Sequence, residues 1–254
     1  MALGGGGVLW PRLGPFPAGE AEGGLFGGLA KMLFALALML GLLLSAAGGS
    51  AWADAEVLPE AHEKPDPEAR YVFYLHGQII ENKGRRPTHP RFGVYEYDAI
   101  LDALRERGYV VISEKRQPRA VVNDSATRLV EQIQRLLAQK VPADRITVIG
   151  FSKGGRIAQR VSAQLKAPVR YVLLASCAKS GRGTPLRGNV LSIREKSDSA
   201  VGSCTPLIAR SPQLLEHDEI LIDVGGGHGA FYRPDKAWMV PLTQWAEAPS
   251  VRSS

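Results

Sequence analysis

Six short apolar runs, separated by helical patterns or turns, are the feature of this chain that most limits its fold. The runs occupy residues 70–77, 109–116, 145–150, 169–176, 188–198 and 218–224. Helical patterns occupy residues 95–108, 123–141, 152–165 and 234–247, the last bent or interrupted at Pro241, and residues 205–217 are ambiguous. Runs without polar–apolar alternation are typical of strands buried on both faces. The pattern therefore predicts an α/β fold with a mostly parallel central sheet and helices on both faces.

The N-terminal segment, residues 1–53, has the features of an export signal. Lys31 precedes the apolar run "MLFALALMLGLLL", and the small residues Ala51 and Ala53 follow it. This order is typical of a secretory signal peptide and predicts cleavage after Ala53. The run of about 13 residues is shorter than the roughly 20 that span a bilayer, so an uncleaved membrane anchor is the alternative.

The rest of the chain is predicted to form one domain with short extensions. Residues 54–69, rich in Pro, Glu and Asp, are expected to be an extended leader, residues 70–248 the α/β domain, and residues 249–254 a tail. The net charge is +6, but the basic residues are dispersed and aromatic residues make up only 7%, which argues against nucleic-acid binding. Only two cysteines occur, without histidines at ligand spacing, so neither a metal nor another cofactor is expected.

A serine flanked on both sides by nearby glycines is the first candidate functional residue. In "VIGFSKGG", Ser152 lies in a G-x-S-x-G motif directly after a predicted strand and before a predicted helix. Small flanking residues allow the sharp strand-to-helix turn that exposes a nucleophile. Short Gly/Ser patterns also occur at ordinary corners, so the strand–turn–helix context is what favours a catalytic serine.

A serine hydroxyl needs a base, and the base needs an acid that orients it. His228, in "DVGGGHGAFY", is the candidate base because it follows the last predicted strand in a loop between glycines. Asp198 is the preferred acid because the strand in the run 188–198 is expected to end at about Glu195, which leaves Asp198 in the following loop, where it can reach the histidine. Glu195 is its competitor, and Asp223 is a weaker one.

The order serine, aspartate, histidine, each after a separate late strand, resembles that of the α/β-hydrolase superfamily. "GFSKGG" is similar to the nucleophile elbow of that superfamily, and "LHGQ" is similar to its His-Gly oxyanion motif. The resemblance covers roughly residues 70–248 and is closest to short bacterial members of unassigned substrate. It implies that Ser152, Asp198 and His228 form a catalytic triad.

The same resemblance implies an oxyanion hole made of two backbone N–H groups. The donors would be Lys153, directly after the serine, and Gln78, in the loop after the first strand. His76 is then expected to have a structural role in that loop.

Many members of this superfamily insert a lid domain after the strand that here ends near Ser176. The segment "CAKSGRGTPLRG" is too short for a lid, which favours small or exposed substrates. The protein is expected to be a serine hydrolase that cleaves an ester or related acyl bond. It is expected to be periplasmic or secreted and to contact the membrane only through its export signal. The alternative is a non-catalytic binding protein in which Lys153 helps to hold an anionic ligand at a helix N-terminus.

Some of the dispersed basic residues fall in or near the predicted strand-end loops. They form either an ordinary solvated surface or a rim that attracts an anionic substrate. The residues are Lys83, Arg85, Arg86, Lys115, Arg116, Arg119, Lys153, Arg156, Lys179, Arg182 and Arg187.

Cys177 and Cys204 follow successive strands and fall in neighbouring loops of the predicted sheet. In an oxidising compartment, a pair of cysteines is expected to form a disulfide, which would hold the loop of Asp198 against the sheet. Two buried free thiols are the alternative.

Overall fold

The computed structural model describes residues 57–249. Six parallel strands form one sheet in the order β4-β1-β5-β6-β7-β8, and β2 and β3 form a small antiparallel hairpin. The strands are β1 (Tyr71–Leu75), β2 (Thr88–His89), β3 (Gly93–Val94), β4 (Val110–Ile112), β5 (Ile146–Phe151), β6 (Arg170–Leu174), β7 (Arg187–Glu195) and β8 (Gln213–Ile222). The predicted parallel α/β architecture is confirmed. The predicted signal peptide and its cleavage after Ala53 lie outside the described residues.

Helices cover both faces of the sheet. They are α1 (Gln78–Lys83), α2 (Tyr97–Arg105), α3 (Val122–Ala138), α4 (Lys153–Gln164), α5 (Thr205–Ile208) and α6 (Lys236–Glu247). One core contains Ile133 of α3 and Ile157 of α4, and the other contains Ile100 of α2 and Trp238 of α6. Among residues 57–249, no helix is both long enough and apolar enough to cross a membrane.

The central strands are apolar throughout because both of their faces are buried. In β1, Tyr71 and Phe73 pack into the core under α3 and α4, whereas Val72 and Tyr74 pack into the core under α2 and α6. Successive side chains of a strand point to opposite faces, so a sheet covered on both sides needs apolar residues at every position.

Several elements differ from the sequence-based expectation. The strand predicted at 218–224 begins earlier, at Gln213, because residues 213–217 also pair with β7. The helix α6 runs without interruption through Pro241. The helix α1 was not predicted, because six residues are too few to show a helical period.

The leader is in contact with the domain from its first described residues. The Leu58 N–H donates to the Val111 carbonyl, and the Ser113 N–H donates to the Leu58 carbonyl. Leu58 therefore makes a parallel bridge with Ile112 on the outer edge of β4. The predicted domain boundary at residue 70 stays a prediction.

The segment between β6 and β7, residues 175–186, contains neither a helix nor a strand, and no lid covers the sheet there. Cys177 in this segment forms a disulfide with Cys204, with the two Cα atoms 5.2 Å apart. The Gly202 N–H also donates to the Cys177 carbonyl at 3.0 Å. The loop that follows β7 is thus fastened to the segment that follows β6.

We expect the disulfide to contribute to global stability. It closes a loop of 27 residues, which corresponds to about 3 kcal/mol in the chain-entropy account. The Cys177→Ser/Cys204→Ser variant should lose about this amount in urea unfolding, and a reductant should destabilise the wild type but not the variant. Equal midpoints for the oxidised wild type and the variant would contradict the expectation.

Candidate functional site

Ser152 occupies a strained turn between the last residue of β5 and the first residue of α4. Its backbone has φ 54° and ψ −113°, a region uncommon for residues other than glycine. The Ser152 N–H donates to the Leu174 carbonyl of the neighbouring strand at 2.9 Å, which anchors the turn. This is the geometry of a nucleophile elbow, in which the side chain projects from the carboxyl edge of the sheet.

The glycines of the motif are required by close backbone contacts. A Cβ atom at Gly150 would lie 2.5 Å from the Gly154 carbonyl oxygen, and one at Gly154 would lie 1.8 Å from the Leu75 carbonyl oxygen. Neither distance is compatible with a side chain. The motif therefore lets the start of α4 contact both the end of β5 and the end of β1.

The three residues predicted as a triad lie in one hydrogen-bonded chain. Ser152 Oγ is 2.9 Å from His228 Nε2, and His228 Nδ1 is 2.7 Å from Asp198 Oδ2. The Asp198 side chain is buried, and the His228 side chain is 18% exposed, so this series of hydrogen bonds runs from the interior toward the surface. The structure brings all three predicted residues together, and their chemical roles are proposals.

The Asp198 carboxylate is held ionised by its partners. Burial raises the pKa of this carboxyl, but hydrogen bonds from His228 and from the Ala200 N–H outweigh burial, and the net pKa lies below its ordinary value. An ionised acceptor at Nδ1 favours the histidine tautomer with its free Nε2 toward the serine.

The two competing carboxylates have other contacts. Glu195 accepts from the Ser197 N–H at 2.7 Å and from the Gly225 N–H at 3.2 Å, so it ties the loop of Asp198 to the loop of His228. Asp223 pairs with the exposed Lys196 at 2.7 Å. Of the three carboxylates considered from the sequence, Asp198 is the one hydrogen-bonded to the histidine.

The His228 loop depends on three consecutive glycines. Gly225, Gly226 and Gly227 have φ values of 71°, 83° and 56°, which favour glycine. The His228 ring then lies against two aromatic rings, with centroid distances of 5.0 Å to Phe151 and 6.5 Å to Phe92. Phe151 is part of the elbow motif, whereas Phe92 was missed because it lies in the hairpin of β2 and β3, whose strands are too short to show a pattern.

The two predicted oxyanion donors, Lys153 and Gln78, are the first residues of α4 and α1. The first N–H groups of a helix have no intrahelical partner, so both point out of their helices. Leu75 of β1 is in register with Gly150 of β5. The two helix starts therefore lie next to each other at the carboxyl edge of the sheet.

A buried charge cluster lies behind these helix starts. Lys153 Nζ is 2.5 Å from Glu81 Oε2, and Arg116 Nε is 2.9 Å from Glu81 Oε1, with all three side chains at most 7% exposed. The Lys153 side chain is therefore directed into the protein. This contact argues against the hypothesis that its ammonium group holds an anionic ligand at the surface.

Paired charges also reduce the predicted basic rim. The guanidinium of Arg85 pairs with Asp98 at the surface, and Arg116 and Lys153 are buried with Glu81. The rim is thus smaller than the sequence indicated.

His76 has the structural role expected for it. Its Nδ1–H donates to the Gly77 carbonyl at 2.9 Å, and its Nε2 accepts from the Arg116 N–H at 3.1 Å. Burial, together with the Arg116 guanidinium, lowers the pKa of His76 to about 3, so the ring is neutral at neutral pH.

Metal ligands do not converge in the described part of the chain. Among residues 57–249, no group of three or more His, Cys, Asp or Glu side chains is arranged to hold a metal ion. The absence of a cofactor stays a prediction.

Comparisons with known proteins agree with the fold. The family profile described as phospholipase/carboxylesterase matches residues 109–185, the part that contains the elbow. An esterase of Pyrococcus furiosus superposes with a TM-score of 0.50 at 16% identity, over 71% of this chain and 83% of that chain. The chain therefore has an α/β-hydrolase fold, and residues 109–185 match a family model of that superfamily. At this identity, the structural likeness itself establishes the fold alone.

Two further solved structures superpose with lower TM-scores. The α/β-hydrolase MGS-M1 from a Medee basin deep-sea metagenome library has a TM-score of 0.47 at 16% identity, over 75% of this chain and 89% of that chain. A lipase-esterase related protein of Clostridium acetobutylicum has a TM-score of 0.48 at 11% identity, over 71% and 96%. The search of curated proteins found no match. The family match supports a hydrolase.

We expect Glu81 to be essential for stability. The Glu81→Gln variant keeps the shape of the side chain but leaves two buried cations without a counter-charge, which typically costs about 3–5 kcal/mol. Arg85→Gln is the matched control, because it breaks an ion pair at the surface, worth about 0–1 kcal/mol. Urea unfolding of both variants measures the difference. Equal losses of unfolding free energy in the two variants would contradict the expectation that the buried cations depend on the charge of Glu81.

We also expect the free energy of unfolding to decrease as the pH is lowered, because His76 resists protonation in the folded state. The unfolded state protonates this histidine below about pH 6.5, whereas the folded state resists protonation until about pH 3. The free energy of unfolding should therefore decrease by about 1.4 kcal/mol per pH unit in this window from His76 alone. The slope should be smaller in His76→Asn and unchanged in the control His62→Gln, which alters an exposed histidine. An unchanged slope in His76→Asn would refute this assignment.

Proposed function

We propose that this chain is an exported serine hydrolase that cleaves an ester or a related acyl bond through an acyl-enzyme. The observation that carries the proposal is the chain of hydrogen bonds from Ser152 through His228 to Asp198, at 2.9 and 2.7 Å. A serine at a positive-φ turn, a histidine within hydrogen-bond distance and a buried carboxylate behind it are the three parts that acyl transfer by serine requires.

In the proposed reaction, Ser152 Oγ attacks the substrate carbonyl while His228 Nε2 takes the hydroxyl proton. The bond to the leaving group breaks as His228 returns that proton to it, which leaves an acyl group on the serine. Water then attacks the acyl-enzyme by the same route, with His228 as the base, and releases the acid. Asp198 orients the imidazole and stabilises it while it carries the proton.

The negative charge that develops on the carbonyl oxygen would be met by the N–H groups of Lys153 and Gln78. Donors of this kind typically contribute a few kcal/mol. The buried cluster supports the same role, because its two cations outnumber its one carboxylate. Glu81 lies in α1, and Lys153 begins α4, so their contact links the two helices whose first N–H groups would bind the oxygen.

Substrate size and compartment follow from two further features. No lid covers the carboxyl edge between β6 and β7, so we infer that the substrates are small or exposed. The disulfide is compatible with an oxidising compartment, which agrees with the export signal predicted at residues 1–53. We infer that the protein is periplasmic or secreted and that nucleic acid is not among its binding partners.

The deciding experiment is labelling with a fluorophosphonate, which reacts preferentially with an activated serine. We expect one adduct on the wild type by intact mass and none on Ser152→Ala. Correctly folded wild-type protein that acquires no adduct would refute the proposal and would favour a non-catalytic binding protein with the same fold.

The buried Asp198 and the exposed Asp223 provide a matched pair of variants that tests the role of Asp198. Asp198→Asn should lower kcat for a neutral ester by about 10⁴-fold, because an amide at this position favours the wrong histidine tautomer. Asp223→Asn, which changes an exposed carboxylate, should retain activity near that of the wild type. Comparable losses in the two variants would contradict the assignment of Asp198.

A further inference from the structure

A cavity of about 330 Å³ lies between the start of α3, the outer side of α4 and residues 176–184. We call it the arginine pocket, because Arg156, Arg160 and Arg182 are among its lining residues. No acidic residue lines it, and its other polar groups include Asn123 and Thr184. The volume is in the range of small-molecule sites.

The charges of this pocket are not neutralised. Among residues 57–249, none of the three arginines forms an ion pair, in contrast to Arg85 and Arg116 of the same strand-end region. The hydrogen bond that Arg160 makes is to the neutral hydroxyl of Thr184. Asp124 follows Asn123 along the chain but is not a lining residue. Three cations around one cavity without a carboxylate repel one another and favour a bound anion.

The arginine pocket lies near Ser152, although Ser152 itself is not one of its lining residues. The Arg156 N–H donates to the Ser152 carbonyl at 3.1 Å, so Arg156 lies one helical turn, about 6 Å along the axis, from the serine. On the sheet side, Gln159 Nε2 donates to the carbonyl of Ser176, which is two residues beyond the end of β6. The Ser152 N–H bonds to Leu174, the last residue of that strand. The pocket is thus beside the elbow, on the face of the sheet covered by α3 and α4.

We propose that the arginine pocket binds an anionic group of the substrate, such as a carboxylate, while Ser152 attacks the ester carbonyl. This inference rests on the proposed function and names the substrate class: esters of small acids that carry a second, negatively charged group. Within the predicted basic rim, it assigns anion binding to Arg156 and Arg182, together with Arg160, and not to Arg85 and Arg86. Rim residues beside α2 share their cavity with Glu96 and Asp98, which offset their charge.

The kinetic test compares p-nitrophenyl hydrogen adipate with its neutral methyl ester. We expect the wild type to prefer the anionic ester. The ratio of the two kcat/KM values should fall about tenfold for each of Arg156→Gln and Arg182→Gln, the size of a charge-assisted hydrogen bond. Arg86→Gln is the matched control, since it removes an exposed arginine from the acid-balanced cavity, and should keep the ratio. An unchanged ratio in the first two variants would overturn the proposal.

A binding measurement separates this inference from the proposed function. Adipate, the product, should bind to Ser152→Ala protein in calorimetry, more weakly at high salt, and about tenfold more weakly when Arg156→Gln is added. If neither ester is hydrolysed and fluorophosphonate labels no serine, the hydrolase proposal fails. Weaker adipate binding on addition of Arg156→Gln would still support an anion site in that case. Absence of adipate binding to folded Ser152→Ala, or equal binding with and without Arg156, would overturn the arginine pocket.

Discussion

The close backbone contact between the start of α4 and the ends of β1 and β5 is the constraint on which the site depends. It exists because Gly150 and Gly154 have no side chains, and a Cβ atom at either would overlap a carbonyl oxygen. The contact forces the chain to turn within one residue, and Ser152 takes the positive φ. A hydroxyl on such a turn projects from the sheet edge, where the loops of Asp198 and His228 also end. The placement of the serine is thus a consequence of backbone packing.

A second constraint is electrostatic. Glu81 is fully buried and pairs with both Lys153 and Arg116, and a lone buried carboxylate would be very costly. These contacts hold α1 against α4 and against the chain after β4. The neutral ring of His76 accepts from the Arg116 backbone and completes the cluster. The carboxyl edge is therefore linked by buried ion pairs under the elbow, while the arginines of the arginine pocket remain exposed and without an ion-pair partner in residues 57–249.

The sequence predicted those parts of the site that follow from strand order. Ser152, Asp198 and His228 each come after a separate apolar run, and parallel strands end at one edge, so their meeting could be expected. Glu81 could not be found in this way, because it lies in a six-residue helix and its partner Lys153 is 72 residues further along the chain. The direction of the Lys153 ammonium was equally hidden, since a flexible side chain beside the elbow can point inward or outward. The early start of β8 was missed because Leu215 and other residues there are exposed, unlike those of the central strands.

If the chain is exported as proposed, the pairing of Leu58 with the edge of β4 has a consequence for the processing of its N-terminal region. An open strand edge offers free N–H and C=O groups to other chains and promotes edge-to-edge association. The first described residues occupy part of that edge, only a few positions after the predicted cleavage site. Trimming of the mature chain past Leu58 would uncover β4, whereas trimming that stops before it would leave the edge covered. In an exported chain, the position at which processing ends would then decide whether this part of the β4 edge stays covered.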